Sequence, residues 1–519
     1  MRTLQSISQK TESKFPWEET PKKGDLGKIL LLYPVTGMDL AGVNVGLPLS
    51  CLYLGTVLEK VGYRVEILDE RLTNSFGQEV AESINRERPV LVGISSMTGI
   101  QIQGGLEGAR AVRSIDPSVP LVWGGVHPSL CPDTTLKDAL CDIVVVGEGE
   151  ITLIELADCL VSRGDLTQVR GIGFKQEGEI HFTQGRPMIE DLDRIPRPDY
   201  GLVDMQYYFT TAPTTSQRQL QVFTSRGCPY DCEFCYNLKF NERRFRYHSA
   251  ERTVSDIAYL SREFGVHAIF IEDDYFFGNP RRVEEICELL LLEDLNLLIQ
   301  VPCRIDYLHR KDPEVLKKLY QAGFKELWIG IESGSEKRLK EIMKRNTLDQ
   351  VRNVNQLLSQ SDVYAKFGFM AGFPNEERQE TLETVDFMFE LASQNQNAGL
   401  APVAIYTPYP GTTLYDKARL VYGMKFPNSL EGWSRFHFAR NNNPFLSGRQ
   451  KKFISKVNVM SRFFERKAFE RFSQNRFKPL LMFLFDMYYR YLRVRLRWRC
   501  FSLMPEIPII RFIEKVYLK

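Results

Sequence analysis

The sequence contains no apolar run that approaches the roughly 18 residues needed to cross a bilayer. Its first 25 residues are polar and charged, which argues against a secretory signal peptide. No G-x-G-x-x-G follows the first predicted strand and no phosphate-binding P-loop occurs, so a nucleotide-binding domain is disfavoured. Ten cysteines without a secretory signal indicate a reducing compartment where thiols stay free for metal. We therefore expect a cytoplasmic protein.

The first third of the chain alternates short apolar runs with helical periodicity. Apolar runs bounded by turn residues are typical of parallel strands that are buried on both faces. Strands are predicted at 28–34, 63–69, 89–95, 120–126 and 142–146. Helices are predicted at 48–60, 80–86, 105–114 and from 151 onward. The alternation predicts a doubly wound, Rossmann-like α/β domain over 28–160, after a polar extension at 1–27.

Sheets of this kind bind ligands beyond the carboxyl ends of their strands. The loops at those ends should therefore form the site of this domain: 33–46, 95–104, 124–131 and 147–150. A linker over 161–215 follows, with a short hairpin and a proline-stiffened connector at 191–199.

Strand–helix alternation resumes near residue 219. Six further strands are predicted at 220–224, 268–274, 298–302, 326–331, 366–370 and 402–406. Six such units predict a partial (β/α)6 barrel over 216–420, with its chemistry at the carboxyl ends of the strands.

Three cysteines with the spacing Cys-x3-Cys-x2-Cys follow the first barrel strand: Cys228, Cys232 and Cys235. Zinc sites show paired cysteine knuckles with a second pair or histidines further on, whereas the other seven cysteines here are scattered singly. Three thiolates without a fourth predict an iron–sulfur cluster with one open iron. Three structural cysteines or a partial zinc site are the alternatives.

Polar residues stand at the ends of the other barrel strands. Glu272, Asp273 and Asp274 end the second strand, Arg304 follows the third, and Glu332 with Ser333 ends the fourth. Three adjacent carboxylates cannot all face a dry core, so some should face a cavity or cap the next helix. Arg304 could bind a carboxylate through two hydrogen bonds, or could lie at the surface.

The cysteine spacing, with Phe234 just before the last cysteine, resembles the signature of the radical S-adenosylmethionine (SAM) enzymes. The resemblance implies a [4Fe–4S] cluster on the three cysteines, whose open iron binds SAM and whose electron cleaves it to methionine and a 5′-deoxyadenosyl radical. It also implies an external one-electron reductant such as flavodoxin or ferredoxin. By the same resemblance Phe234, Glu272, Asp273, Asp274, Arg304, Glu332 and Ser333 are expected near SAM.

The first domain resembles the cobalamin-binding domain that precedes the radical core in one branch of this family. The matching segments are Gly93-Ile-Ser-Ser-Met97 and Trp123-Gly-Gly-Val-His-Pro128. The expected cobalamin contacts are Ser95, Ser96, Gly124, Gly125, His127, Gly147 and Glu148. For His127, a turn residue that caps backbone groups is the alternative, and a flavodoxin-like domain without cobalamin also remains open.

One departure concerns the cobalt ligand. Many cobalamin proteins carry Asp-x-His-x-x-Gly after the first strand, and its histidine binds cobalt. Here residues 34–42 contain no histidine, and none of the six histidines of the chain lies in that motif. The resemblance therefore implies cobalamin without a histidine lower ligand.

The C-terminal region, 421–519, is aromatic and basic. From 449 to 519 there are 18 Lys and Arg against 5 Asp and Glu, whereas the whole chain carries only +2. A helix predicted over 479–499 is apolar on one side and rich in arginine on the other, which favours an anionic membrane surface. Alternatively its apolar side caps the barrel. No motif supports nucleic-acid binding.

Together these features predict a cobalamin-dependent radical SAM enzyme that methylates an unactivated carbon of a small-molecule or lipid-like substrate, such as a lipid, tetrapyrrole or secondary metabolite. A second SAM would remethylate the cobalamin. Oxidative ring closure or carbon–carbon coupling, as in the family's tetrapyrrole cyclases, is the first alternative. A cobalamin- or redox-sensing binding protein without turnover is the second.

Overall fold

The computed structural model describes residues 14–19, 25–37, 45–212, 215, 217–437, 443–461, 463 and 478–497. Most of the predicted extension at 1–27, the loop residues 38–44 and the aromatic, basic segments 464–477 and 498–519 lie outside the described residues.

The first domain is built on a seven-stranded sheet of order β2-β1-β3-β4-β5-β6-β7. Its strands are β1 (Lys28–Tyr33), β2 (Arg64–Asp69), β3 (Leu91–Ser95), β4 (Leu121–Gly124), β5 (Ile143–Val145), β6 (Ile172–Gln176) and β7 (Glu179–Phe182). The first five are parallel, and β6 and β7 add an antiparallel hairpin at one edge. The doubly wound prediction is confirmed.

Helices cover both faces of this sheet. They are α1 (Leu49–Val61), α2 (Phe76–Arg86), α3 (Ile100–Ile115), α4 (Val126–Leu130), α5 (Pro132–Leu136) and α6 (Glu150–Ser162). The prediction for α3 was wrong at its start, which lies five residues before Gly105. Gly105 lies inside the helix, where a Cβ would be 2.8 Å from the Trp123 ring, so glycine is needed there for close packing.

The second domain is a half-barrel whose sheet has the order β16-β15-β14-β13-β12-β9-β8. Its strands are β8 (Thr210–Thr211), β9 (Arg218–Val222), β12 (Ala268–Ile271), β13 (Leu298–Cys303), β14 (Phe324–Glu332), β15 (Tyr364–Ala371) and β16 (Ala398–Leu400). A separate pair, β10 (Ser225–Arg226) and β11 (Arg246–Tyr247), forms beside it, and β17 (Ala404–Ile405) pairs with the end of β15. Six parallel strands confirm the predicted partial barrel.

The sixth barrel strand was placed too late. The prediction of 402–406 included Pro402, which has no N–H to donate to a neighbouring strand. In the structure β16 ends at Leu400, before the proline, and the chain pairs with β15 again only at Ala404.

The remaining helices surround the barrel and continue into the C-terminal region. They are α7 (Ala250–Phe264), α8 (Pro280–Glu293), α9 (Ile305–Leu308), α10 (Pro313–Gln321), α11 (Glu336–Glu341), α12 (Leu348–Ser359), α13 (Arg378–Gln394), α14 (Thr413–Leu420), α15 (Leu430–Ser434), α16 (Gly448–Ser461) and α17 (Lys478–Arg497). Single 3-10 turns occur at Pro16–Glu18, Glu70–Leu72, Leu166–Gln168, Leu192–Arg194, Tyr200–Leu202, Met205–Tyr207, Tyr236–Leu238 and Phe276–Gly278.

The C-terminal region packs on both domains. Leu430 and Trp433 of α15 are buried in the core of the first domain, and α15 packs against α3. Ile454 and Met460 of α16, and Leu492 of α17, belong instead to the core of the barrel. No helix in the described part of the chain is both long enough and apolar enough to cross a membrane.

The two domains also share one apolar core. Leu49 and Leu52 of α1 lie in the same cluster of buried side chains as Leu220 and Val222 of β9. Beside them, the backbone N–H of Leu47 donates to the Gln221 side chain at 3.1 Å. The end of the loop that follows β1 is thereby held against β9.

Candidate active site

The cysteine loop begins directly after β9 and is fastened at its start by Asp273. The carboxylate of Asp273 accepts hydrogen bonds from the backbone N–H groups of Thr224 and Ser225 at 2.6 and 3.0 Å, and from their hydroxyls at 2.6 and 2.7 Å. Asp274 accepts from Gly227 N at 3.1 Å and from the Tyr236 hydroxyl at 2.9 Å. Two of the three acids that follow β12 therefore hold the two ends of the loop.

A second clamp holds the middle of the loop. The backbone N–H of Glu233 donates to Ile342 O at 3.1 Å, and its carbonyl accepts from Leu414 N at 3.0 Å. Next to it, Nε of Arg345 donates to Asp231 at 2.8 Å. Cys232 thus lies between two residues whose positions are fixed from outside the loop.

Arg304 reaches the loop from the end of β13. Its Nη1 lies 3.4 Å from Sγ of Cys232, and its guanidinium carbon lies 3.6 Å from the centre of the Tyr230 ring. Its other donors are directed to Asp306 and to the carbonyl of Lys344. The sequence prediction that Arg304 binds the SAM carboxylate stays a prediction, and here its hydrogen bonds go to these groups.

Glu332 lies at the rim of the barrel, in an unusual backbone conformation. Its φ is +76°, a value that residues other than glycine rarely adopt, and the pairing of β14 with β15 shifts register between Gly330 and Glu332. Its carboxylate accepts from Nζ of Lys344 at 2.7 Å. A bulge of this kind re-aims a side chain, and such strained residues concentrate at functional sites.

The other expected SAM residues surround the same rim. Ser333 is buried and hydrogen-bonds the Thr384 hydroxyl at 3.2 Å. Glu272 is exposed at the end of β12. Phe234 packs against Phe373, with ring centres 6.1 Å apart. The expected SAM residues thus follow successive barrel strands.

Below the rim, a large aromatic side chain is exposed on the central strand β14. On β14 the residues that face the outer helices, Leu327 and Ile329, are 0% and 1% exposed, whereas Trp328 between them is 37% exposed. The Phe270 ring centre lies 5.3 Å from that of Trp328, and Nζ of Lys366 lies 5.6 Å from it. A large aromatic side chain exposed on a central strand indicates a chamber inside the barrel.

The loops expected to bind cobalamin meet at the carboxyl edge of the first sheet. The backbone of Ser96 donates to Gly124 O at 2.9 Å, and its carbonyl accepts from His127 N at 3.0 Å. Gly125 has φ +100°, and a Cβ there would lie 2.8 Å from Ser96 O. Gly147 has φ +85° and nothing within 4 Å of its Cβ position, so its backbone faces open space. The Ser95 hydroxyl lies 3.1 Å from that of Ser50.

His127 is fully buried. Its Nδ1 lies 2.9 Å from the Thr98 hydroxyl, and its ring meets that of Trp433 edge-on with centres 5.5 Å apart. Its Nε2 has no hydrogen-bond partner among the described residues. Burial lowers the pKa of His127 to about 3, so the ring is neutral at physiological pH.

Arg226 joins the cysteine loop to the first domain. It precedes Cys228 by two residues, and its guanidinium donates to Glu148 at 2.8 Å and to Glu150 at 2.5 Å. The sequence predicts a role in cobalamin binding for Glu148 and none for Arg226. Only the charge complementarity between Arg226 and the acidic segment 147–150 could have indicated this pair, since 76 or more residues separate the partners.

Two family models match the chain in the regions described above. The B12 binding domain matches residues 42–157, and the Radical SAM superfamily matches residues 222–388. An uncharacterized methyltransferase of Pyrococcus horikoshii is 31% identical over 394 residues, which cover 75% of this chain and 83% of that protein. This chain belongs to the cobalamin-binding radical SAM family, and it is an enzyme.

A further relative and a solved structure are also similar to this chain. The anaerobic magnesium-protoporphyrin IX monomethyl ester cyclase of Rubrivivax gelatinosus is 29% identical over 400 residues, covering 75% of this chain and 70% of that protein. The solved structure of the cobalamin-dependent S-adenosylmethionine radical enzyme OxsB, with aqua-cobalamin and S-adenosylmethionine bound, covers 94% of this chain and 75% of that chain. Its TM-score is 0.72 at 20% identity, which shows a shared fold.

The residues present fit the family's iron–sulfur cluster. The three cysteines of the loop are free thiols. Burial raises the pKa of Cys235 to about 12, so iron must displace its proton on binding. No group of three His, Cys, Asp or Glu side chains in the described residues converges on a single-ion site. A four-iron cluster instead takes each cysteine at a separate corner.

Proposed function

We propose that this enzyme methylates an unactivated carbon of a small-molecule substrate, using SAM, a [4Fe–4S] cluster and cobalamin. When bound, the cluster would supply the electron that cleaves SAM, and cobalamin would supply the methyl group. The methyltransferase of Pyrococcus horikoshii supports this choice of reaction. The substrate would be lipid-like, a tetrapyrrole or a secondary metabolite.

The contact of Arg226 with Glu148 and Glu150 carries this proposal. A substrate carbon must receive the methyl group where the hydrogen atom was removed, so the radical source and the methyl donor must face one cavity. Arg226 connects the segment just before Cys228 to the loop proposed to bind cobalamin, through a buried ion-pair network. This network fixes the two proposed cofactor loops relative to each other.

Residues at the rim and on the concave face of the barrel would bind the cluster, SAM and the substrate. Cys228, Cys232 and Cys235 would hold the cluster. Glu332, Ser333 and Glu272 would hold the polar end of SAM. The chamber below, with Trp328 and Phe270 on its wall, would hold the apolar body of the substrate and exclude water from it. Asp273 and Asp274 would act indirectly, since their carboxylates fasten the cysteine loop.

Cobalamin would bind without a histidine lower ligand. His127 supports this, because Thr98 and Trp433 enclose its ring. The protein is expressed with ¹⁵N-histidine and then loaded with cob(II)alamin. The test is its electron paramagnetic resonance spectrum, compared with that of unlabelled protein. Nitrogen splitting that changes with the isotope would show a histidine ligand and overturn this proposal.

The reaction is tested by anaerobic reconstitution with SAM carrying a deuterated methyl group and a one-electron reductant of the flavodoxin or ferredoxin type. Candidate lipids and porphyrins are then examined by mass spectrometry. We expect 5′-deoxyadenosine together with a product that carries the label. Absence of deoxyadenosine under reducing conditions, with the cluster fully assembled, would reject the radical reaction.

The cyclase of Rubrivivax gelatinosus favours a second candidate reaction. Oxidative ring closure or carbon–carbon coupling would use the same cofactors without transferring the methyl group. Deoxyadenosine formation with a product that lost hydrogen and carries no label would establish this alternative in place of methylation.

We also propose that α17 contacts an anionic membrane surface. One face of α17 packs on the barrel through Phe485 and Leu492, which are 3% and 0% exposed. On the opposite face Phe483, Met487, Tyr491 and Val494 are between 46% and 60% exposed. An apolar stripe within a strongly basic segment matches the chemistry of an anionic lipid surface.

Vesicle flotation tests this contact. The full chain should float with vesicles that contain anionic lipid, and not with purely zwitterionic vesicles. Phe483→Ser together with Met487→Ser should reduce flotation, whereas Leu420→Ser, at another exposed apolar residue outside this helix, should not. Equal flotation of both variants and the parent protein would reject this surface.

A further inference from the structure

Arg304 is buried between the cysteine loop and the segment 342–345, with only 9% of its surface exposed. Its Nη1 lies 3.4 Å from Sγ of Cys232, and its Nη2 lies 2.8 Å from Lys344 O. On the opposite edge, Nε and Nη2 lie 2.8 and 2.7 Å from Oδ2 of Asp306. The edge that remains toward the loop therefore points at the sulfur.

Two contacts fix the plane of this guanidinium. Asp306 holds one edge, and the Tyr230 ring lies 3.6 Å from its central carbon. Tyr230 is itself part of the loop, between Cys228 and Cys232. A planar fork held on both sides presents its N–H in one direction, which a flexible lysine ammonium does not. The N–H toward Cys232 is thus a directed donor.

We propose that Arg304 is a positioning residue that orients Cys232 and raises the reduction potential of the cluster through its hydrogen bond to that sulfur. This inference rests on the cluster binding of the proposed function. Hydrogen bonds to the sulfurs and positive charge near the cluster stabilise the reduced state, which is the more negative one. The step affected is the uptake of one electron from an external ferredoxin- or flavodoxin-type donor, in which no bond forms or breaks.

The competing role is the one expected from sequence, with Arg304 bound to the SAM carboxylate. That role needs N–H groups of Arg304, which here donate to Asp306, to Sγ of Cys232 and to Lys344 O. The two roles differ in a measurable way, because only the sulfur contact acts when SAM is absent.

The test is a redox titration of the reconstituted cluster without SAM or substrate, with mediator dyes and electron paramagnetic resonance of the reduced form. The variants are Arg304→Gln, which removes the charge, and Arg304→Lys, which keeps the charge but loses the fork. Arg243→Gln is the matched control, since Arg243 donates to Pro229 O on the exposed side of the same loop. Iron and sulfide per chain are measured for each protein.

We expect the midpoint of Arg304→Gln to shift to a more negative potential, that of Arg304→Lys to shift less, and that of Arg243→Gln to stay unchanged. An unaltered midpoint in iron-replete Arg304→Gln overturns the proposal. If that variant does not retain iron, an unaltered midpoint in Arg304→Lys overturns it instead. Unaltered midpoints with weaker SAM binding in equilibrium dialysis would establish the competing role. Because substrate is absent, failure to methylate does not affect the result.

Discussion

The carboxylate of Glu148 lies 2.8 Å from Nη1 of Arg226 and 2.9 Å from Nη1 of Arg246, so one acid of the first domain serves two arginines of the barrel. The backbone N–H of Ile189 donates to it at 2.7 Å. Burial alone would raise the pKa of Glu148, but the two guanidiniums outweigh burial and lower that pKa. The carboxylate is therefore charged, and it holds the domains together.

Glu148→Gln should destabilise the protein. Removing one partner of a buried ion pair leaves the other charge, here Arg246, without a carboxylate, at a cost of about 3–5 kcal/mol. The midpoint of urea unfolding should fall accordingly, and reconstituted protein should retain less cobalamin.

Glu285→Gln is the control for this prediction. Glu285 pairs with Arg281 on the surface of α8, where the two side chains are 46% and 87% exposed. Its loss should change stability by less than about 1 kcal/mol. Equal stabilities of the two variants would contradict the role given to Glu148.

Asp273→Asn should lower the iron content of the reconstituted enzyme. Asp273 accepts two backbone N–H groups and two hydroxyls, whereas an asparagine turns one acceptor oxygen into a donor. A buried donor left unsatisfied costs about 1–3 kcal/mol, and the loss falls on the start of the cysteine loop. Iron and sulfide per chain are the measurement, with the exposed Asp349→Asn as control. Full iron content in Asp273→Asn would show that the loop is held by other contacts.

Gly125→Ala should destabilise the first domain. Its φ of +100° is unfavourable for alanine, and the new Cβ would lie 2.8 Å from the fixed carbonyl of Ser96. Backbone strain of this kind costs about 1–3 kcal/mol. Gly185→Ala is the matched control because nothing lies within 4 Å of its Cβ position and its φ is not positive. A urea midpoint for Gly125→Ala equal to that of Gly185→Ala would refute this account.

Because His127 is buried in its neutral form, the free energy of unfolding should decrease in mild acid. Its pKa is about 3 in the folded protein and roughly 6.5 when unfolded. Between these values the unfolded chain binds a proton that the folded chain does not, so stability falls as pH decreases below about 6.5. The slope reaches about 1.4 kcal/mol per pH unit for one such group. Urea unfolding of His127→Phe at several pH values should show a smaller slope than the parent protein.

The elements of the fold follow from local patterns, which explains why the sequence predicts most of them. Apolar runs such as 28–34 and 142–146 mark strands covered on both faces, and the structure places β1 and β5 within one or two residues of them. The predicted bounds of helices and strands are wrong where a glycine or proline has a role that the local pattern does not show. At Gly105, inside α3, the Trp123 ring leaves no room for a Cβ, and the last barrel strand ends at Leu400, before Pro402.

The contacts of the site are much harder to predict from sequence. The spacing of the cysteines indicates a cluster, but no local pattern shows that Asp273 fastens their loop or that Arg304 lies 3.4 Å from Cys232. These pairs are separated by 49 and 72 residues. Which side chain becomes the hydrogen-bond partner of a given group depends on how the strands are arranged in space.

The return of α15 to the first domain affects how the chain folds during synthesis. Domains generally fold as units, the N-terminal one first, while the rest is still being translated. Here Trp433 of α15 is buried in the core of the first domain, and it leaves the ribosome only after the barrel strands have been made. The first domain therefore completes its core only after the barrel strands have been translated, although its own strands are translated first.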